Sequence, residues 1–397
     1  MSTLPSPPEA LASLLRHAQP FPTTRIPLTQ AAQHTLAQDL PSPIDHPSFD
    51  QSAVDGYAFR YDDLTAQGSL APTQIRAGDP ATQPVLPGTC VRIFTGAPLP
   101  PGADTVVMQE HTRVEGDQLS VLDARLSRHG NVRFRAEQIR KGETALQAGQ
   151  VLDAAAIGYL ATLGIDTVPV HRRPKVAILV TGNEFAARHA DLQHGRIYES
   201  NGQMLQAALR DLAEGVTILH VAEDRAAMET AIAEASTHYD LLIATGGVSV
   251  GDHDHTQPAF AALGYATLVH GVAQKPGKPL YIGLRDGKVA FGLPGNPRAV
   301  LVCFYCYVLP YLHACMGQPA PGLRTLTLPL AEAWRRKPDG KTHFVTGRFR
   351  DGSIAVIDDR ASHMLRSFAG ADGIVVLPPE PAEFPAGTLV EVRLLPR

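Results

Sequence analysis

Tyr239-Asp240-Leu241-Leu242-Ile243-Ala244-Thr245-Gly246-Gly247-Val248-Ser249-Val250-Gly251-Asp252-His253-Asp254 begins as a short apolar run and ends in a glycine-rich polar loop. The run reads as a buried strand. The glycines therefore open at a strand's carboxyl end, where open α/β sheets place their ligand crevices. Glycine permits positive φ and lets backbone N–H groups come close to an anion. Ser249 adds a hydroxyl, and Asp252 and Asp254 add hard oxygen ligands beside His253 and His255. A phosphate cradle next to carboxylates suggests a divalent metal bound together with a phosphorylated substrate. A plain sheet-to-helix turn with a solvated acidic tip is the alternative, because a lone glycine-rich loop is a weak signal.

Working outward, residues 175–181 (KVAILVT) form a second buried strand that ends in Thr181-Gly182-Asn183-Glu184. Leu205, Ala208, Leu209 and Leu212 then repeat at helical spacing before Gly215. Strand 216–221, helix 223–236 and strand 239–245 follow, and such alternation demands a parallel sheet with right-handed crossovers. The unit continues through strand-like 266–270 and 288–292 to Leu293-Pro294-Gly295-Asn296-Pro297. Pro297 suits a helix's first turn, where its missing N–H costs nothing. The loops ending in Glu184, Asp254 and Asn296 are expected to gather on one sheet edge. Residues 299–316 approach the length of a membrane-spanning helix, but Pro310 and His313 interrupt them. A buried helix, and no membrane association, is the expectation.

On the amino-terminal side, residues 8–18 carry one apolar helical face closed by Pro20 and Pro22, and a second helical piece is predicted from Leu28 to Leu36. From residue 41 short strand-like pieces such as 90–95 and 104–109 alternate with Pro, Gly and Asp, which indicates a mostly β module. Residues 153–164 read as a helix with Asp153 as N-cap and Gly164 as its stop, returning the chain to the first helices. Residues 317–323 read as a linker, and 324–397 as a small β domain. The expected division is 1–40 with 141–172 as a helical and extended region, 41–140 as an inserted mostly β module, 173–318 as an α/β domain, and 324–397 as a C-terminal β domain. The fold class is thus α/β plus β, multidomain.

At 397 residues the chain is too long for one compact core. A net charge of -4 argues against a nucleic-acid binder relying on bulk positive potential, so any anion site must be local. Cys90, Cys303, Cys306 and Cys315 do not form a disulfide framework, and the Cys303/Cys306 pair lies in an apolar helical pattern that favours core packing over metal or redox work. No basic segment followed by an apolar one marks a secretory leader, and a cytoplasmic protein is expected.

Gln274-Lys275-Pro276-Gly277-Lys278-Pro279 sets two ammonium groups three residues apart on a stiff, proline-bounded loop, a suitable oxyanion clamp. Taken in order, SAVDGYA (52–58), TGAP (95–98), TGNE (181–184), YESN (198–201), GGVSVGDHD (246–254), KPGKP (275–279) and LPGNP (293–297) resemble the MoeA family of molybdopterin molybdotransferases, which includes the gephyrin E domain. The resemblance runs from about residue 20 to the C-terminal strands. It implies a homodimer whose cleft lies between the three-layer, molybdopterin-binding α/β domain of one subunit and the inserted module of the other, with 1–40 and 141–172 serving dimerisation. It implies a transferase that inserts molybdate into adenylylated molybdopterin with release of AMP and the help of Mg²⁺. The adenylyltransferase that makes the substrate and the apoenzymes that accept the product are the implied partners.

Carried over residue by residue, the resemblance gives Glu184 and Asp254 as Mg²⁺ ligands and Asp55 as a catalytic metal or substrate ligand supplied across the subunit boundary. Gly246, Gly247 and Ser249 cradle phosphate, and Lys275 and Lys278 hold molybdate or the terminal phosphate. Pro294, Gly295, Asn296 and Pro297 shape the pterin pocket, and Thr95 offers a hydroxyl. Asp252, His253 and His255 stay unassigned. The chain departs from the family where Gln138 replaces an acid (with Glu137 beside it), where Asn183 replaces the acid of TGDE, and where Thr346 stands for an arginine. Arg348, two residues on, is expected on the same face as Thr346, with Ser362 or Ser367 as hydroxyl partner. Two other readings compete: a molybdopterin adenylyltransferase or CinA-like nucleotide enzyme on the same α/β domain, and a non-catalytic gephyrin-like scaffold.

Overall fold

The computed structural model describes residues 4–63, 68–186, 192, 194–247, 255–319, 321–357 and 364–396. Its centre is a six-stranded sheet in the order Gly215–Val221, Lys175–Thr181, Leu241–Thr245, Lys288–Leu293, Tyr281–Arg285, Ala266–His270. The first four strands are mutually parallel, and all seven residues of Lys175–Thr181 pair with Gly215–Val221. The sheet is not parallel throughout, because Tyr281–Arg285 runs antiparallel to both of its neighbours, Lys288–Leu293 and Ala266–His270. The hairpin Tyr281–Arg285 to Lys288–Leu293 turns on Asp286 and Gly287, both at positive φ (50° and 76°), the backbone that an Asp-Gly pair favours in two-residue hairpins.

Alternate side chains of the central strands feed two cores. Val176, Ile178, Val180 and Ile243 face the long C-terminal helix of this domain, while Ala177, Leu179, Leu242 and Ala244 face Met228, Ile232 and Phe260 on helices Arg225–His238 and Thr256–Ala262. Three layers result. The long helix is continuous from Pro297 to Cys315, with a π-helical turn at Phe304–Val308. That wider turn sits immediately before Pro310, whose missing N–H an ordinary α-helical ladder would have to accommodate. The helix is long and apolar enough to cross a bilayer, yet 83% of its 18-residue apolar stretch is buried inside the protein.

Helix Pro7–Leu15 is set by a capping box between Ser6 and Glu9. It buries Ala10 and Leu14 against the long helix, in the α/β core. It therefore does not meet helix Ala154–Thr162, which packs Ala156 and Leu160 on Leu28, Ala31, Leu36 and Val168 in a separate core. The predicted helix Leu28–Leu36 is only a 3-10 turn at Leu28–Gln30. Gln33 takes φ 61°, and Thr35 and Leu36 bridge to Val151 and Val170, so sheet-like pairing wins over helix there. Strand Thr23–Pro27 pairs antiparallel with Thr167–His171 in the same body.

The β module holds a six-stranded sheet in the order Thr105–Met108, Gly56–Phe59, Thr89–Ile93, Gly68–Ile75, Gln118–Val121, Thr112–Glu115. At the carboxyl end, Thr342–Arg350, Gly373–Leu377, Leu389–Leu394 and Thr325–Pro329 form a second all-β body over Trp334, Ile354, Val375 and Val392. Its edge is completed by Gln274–Lys275, two residues that belong in sequence to the α/β unit and pair parallel with Thr342 and His343.

Candidate functional site

Because Lys175–Thr181, Leu241–Thr245 and Lys288–Leu293 are parallel neighbours, their carboxyl ends share one edge. The loops that begin at Gly182, Gly246 and Pro294 meet there through a buried polar lattice. The Asn201 amide donates to Thr245 Oγ1 at 3.0 Å and to the Gly295 carbonyl at 2.8 Å. Thr245 Oγ1 donates to the Pro294 carbonyl at 3.2 Å, and Thr181 Oγ1 to the Thr245 carbonyl at 3.3 Å. Gly246 takes φ 91°, and a Cβ there would lie 2.7 Å from Thr181 Oγ1 and 2.8 Å from the Thr181 carbonyl oxygen. Only glycine allows the two crests this close an approach. Asn201 itself is buried, and among the described residues its Oδ1 accepts no hydrogen bond.

Glu184 is exposed at the same edge, its loop returned by the Ile197 N–H bond to the Glu184 carbonyl at 3.0 Å. Gly247 takes φ 62°, while Ser249, Asp252, His253 and Asp254 lie outside the described residues. Pro294 is buried, Gly295 and Asn296 are exposed, and Pro297 opens the long helix with Asn296 as its N-cap.

The lysine loop is anchored from below. Gln274 is fully buried, and its amide donates to the Pro276 and Gly277 carbonyls at 3.2 Å each while its oxygen accepts from the Tyr307 hydroxyl. Gly277, at φ 88°, leaves no room for a side chain, since a Cβ would meet Cys303 Sγ at 2.6 Å. Lys275 and Lys278 themselves are exposed. Lys275 lines a cavity of about 450 Å³ with Arg298, Trp334, Arg336, Lys337, Asp339 and His343, between the α/β core and the C-terminal body. Four cationic side chains face one carboxylate in that wall, so its field favours an anion. Burial pushes the His343 imidazole below its usual value, against the pull of Asp339 at 3.1 Å.

Arg348 and Ser367 form no part of this cavity wall. Thr346 is fully buried, whereas Arg348 is exposed and turns its Nε–H to the Gly370 carbonyl. The strand leaves the core between the two, so their shared parity does not bring them to one surface. Ser367 is buried and donates to the Met364 carbonyl at 3.0 Å; Ser362 lies outside the described residues. Near Gln138, the Glu137 carboxylate closes its own turn by accepting from the Phe134 N–H at 2.9 Å.

In the β module the Thr95 N–H and hydroxyl donate to Asp55 Oδ1 at 2.8 and 2.7 Å. These two bonds, with the nearby Arg92 charge, hold the Asp55 carboxyl below the usual carboxylate range. Sequence reasoning left Asn201, Thr245, Gln274 and Arg92 without roles. Asn201 and Gln274 stood within or beside quoted motifs.

Residues 6–164 match the MoeA N-terminal region (domain I and II), residues 177–314 a probable molybdopterin binding domain, and residues 327–395 the MoeA C-terminal region (domain IV). The chain belongs to the MoeA family. It is 35% identical to molybdopterin molybdenumtransferase 2 of Mycobacterium tuberculosis, over 96% of each chain. It is 33% identical to the molybdopterin molybdenumtransferase of Haemophilus influenzae, over 94% of this chain and 95% of that one. The crystal structure of the molybdopterin biosynthesis moeA protein of Pyrococcus horikoshii OT3 superposes with a TM-score of 0.86 at 27% identity, covering 99% of this chain and 100% of that one. The mixed α/β and β-rich multidomain architecture is that of the MoeA family.

Proposed function

We infer that the protein is a transferase of molybdenum cofactor biosynthesis, a molybdopterin molybdenumtransferase with molybdopterin and molybdate as substrates. The observation that carries the reading is the Asn201 bridge from Thr245 to Gly295, which with the Thr181 bond to Thr245 joins three strand ends into one polar crest beside Gly246. Family membership supplies the chemistry. The finer reading is insertion of molybdate into adenylylated molybdopterin with release of AMP.

Both reactants are anions, so their encounter needs fixed positive charge, and cleavage of a phosphoanhydride needs charge neutralised at the leaving oxygens. Lys275, in the wall of the cationic cavity, and Lys278 on the same loop would hold molybdate. The backbone of Gly246 and Gly247, with Ser249, would take phosphate. Pro294 to Pro297 would wall the pterin pocket, and Asp55, with the Thr95 hydroxyl beside it, would reach the reacting group across a subunit boundary in a homodimer. Glu184 and Asp254 would hold Mg²⁺. The exposed Glu184 carboxylate and the Asn201 Oδ1, a buried oxygen without a donor among the described residues, are hard oxygen atoms of the kind that would suit this ion. When bound, Mg²⁺ supplies charge neutralisation at phosphate oxygens.

The division into 1–40 with 141–172, 41–140, 173–318 and 324–397 belongs to this proposal, although helix Pro7–Leu15 packs in the α/β core rather than with residues 141–172. So do a cytoplasmic location, supply of substrate by the adenylyltransferase and delivery of product to apoenzymes. The test is direct: adenylylated molybdopterin, Mg²⁺ and molybdate are supplied and AMP is measured. Molybdate-dependent release is expected. Net adenylylation of molybdopterin from ATP without molybdate would overturn the reading.

A further inference from the structure

The Asp55 turn is tied down by a residue to which no role has been given. Arg92 stands directly across the strand pair from Tyr57. Its guanidinium carbon lies 5.0 Å from the centroid of the Tyr57 ring and 4.9 Å from that of Phe94, so two aromatic faces hold the cation. One Nη donates to the carbonyl of Gly56, next to Asp55 in the chain, at 3.1 Å, and the other donates to the Gln109 side chain. Gln109 closes the circuit, because its backbone N–H donates to the carbonyl of Asp55 at 3.1 Å. Thr95, which follows Phe94, makes its two bonds to Asp55 Oδ1. The main chain around Asp55 and the residue that grips its carboxylate are thus connected to one guanidinium. Among the described residues no hydrogen bond reaches Oδ2, the oxygen that would meet a ligand.

We propose that Arg92 is a positioning residue for the reaction, fixing Asp55 and Thr95 relative to one another through the ring clamp and the two-armed contact to Gly56 and Gln109. The proposal rests on the reading that Asp55 acts at the substrate. A planar guanidinium directs two donors at set angles, which an ammonium cannot do. Other charged groups near the turn are Glu110, which feels the Asp55 charge, and His111 beside it. Glu110 accepts from the Gln109 side-chain amide at 3.0 Å and so steadies that arm of the clamp, while His111 faces Asp123 at 3.4 Å.

The test is steady-state AMP release by Arg92→Met, Arg92→Lys, Asp55→Asn and the Asp55→Asn/Arg92→Met double variant. Arg92→Met is expected to lower kcat about 10- to 100-fold, the usual cost of a misplaced group, with KM for adenylylated molybdopterin within about threefold of wild type. Arg92→Lys should recover part of the loss by keeping a cation between the rings. In the Asp55→Asn background, Arg92→Met should cost no more than about twofold, since it acts through a group already disabled. Additive losses, or a raised KM with kcat preserved, would overturn the proposal. Wild-type AMP release by Asp55→Asn would instead remove the role given to Asp55, a separate failure. If Arg92→Met does not fold, Arg92→Lys in both backgrounds carries the same cycle.

Discussion

Gln274→Met keeps the bulk of a fully buried side chain and deletes its polar contacts. The wild-type amide satisfies the Pro276 and Gly277 carbonyls and the Tyr307 hydroxyl. Three partners lose a hydrogen bond, Pro276 only partly buried and Gly277 keeping a weak one from Cys303 Sγ at 3.8 Å, and at about 1 kcal/mol for each the loss is about 3 kcal/mol. For a unit of roughly 150 residues this lowers the melting temperature by about 6–12 °C. Lys275 follows Gln274 directly, so the loosened loop should raise the molybdate concentration needed for half-maximal AMP release at least about tenfold, as a positioning defect of about 1 Å does. Calorimetry and the molybdate dependence of AMP release measure the two effects. A melting temperature within about 1 °C of wild type, with unchanged molybdate dependence, would refute the argument that Gln274 anchors the lysine loop.

Gly246→Ala should cost about 1–3 kcal/mol from the positive φ, and also displace Thr181 and depress AMP release. Gly264→Ala, at φ 84° but with nothing within 4 Å of its new methyl, should show the backbone cost without the catalytic loss. Burial would raise the Asp240 carboxyl, but the two 2.7 Å bonds from Arg172 and the Lys175 N–H outweigh it and leave Asp240 below the usual value. The stabilisation from this pair is therefore complete above the unfolded carboxylate value of about 4 and lost as pH falls through the lower folded value. Urea midpoints of wild type and Asp240→Asn should differ at pH 7 and converge on acidification. All four cysteines are buried, with Cys90, Cys306 and Cys315 pushed up to about 11 and Cys303 also well above its usual value. A thiol-reactive dye at pH 8 should label none of them until the protein is unfolded; rapid labelling of Cys303 or Cys306 in the native protein would contradict their place in the core.

The parallel centre of the sheet was legible because apolar runs such as 175–181 and 239–245 end in glycine, and fully buried strands leave that signature. The strand Tyr281–Arg285 was missed although Asp286-Gly287 announced its hairpin, because the run is short and mixed. Leu28–Leu36 misled in the other direction. Its helical spacing is real, but partners more than a hundred residues away, Val151 and Val170, claim the backbone. Side-chain parity alone suggested that Arg348 could stand in for the group missing at Thr346. Parity says nothing about where a strand leaves the core, and the guanidinium found the Gly370 carbonyl. Asn201 and Gln274 were hard to read because a buried amide is identified only by what its two ends reach.

Gln274 and Lys275 are shared property of two bodies, since their covalent chain belongs to one and their strand pairing to the other. Lys278, whose carbonyl accepts from the Val272 N–H at 2.9 Å, stays within the first. An oxyanion gripped by both ammonium groups would act as a strut between the two bodies. Loading such cargo would stiffen the angle between them, and releasing it would let that angle relax.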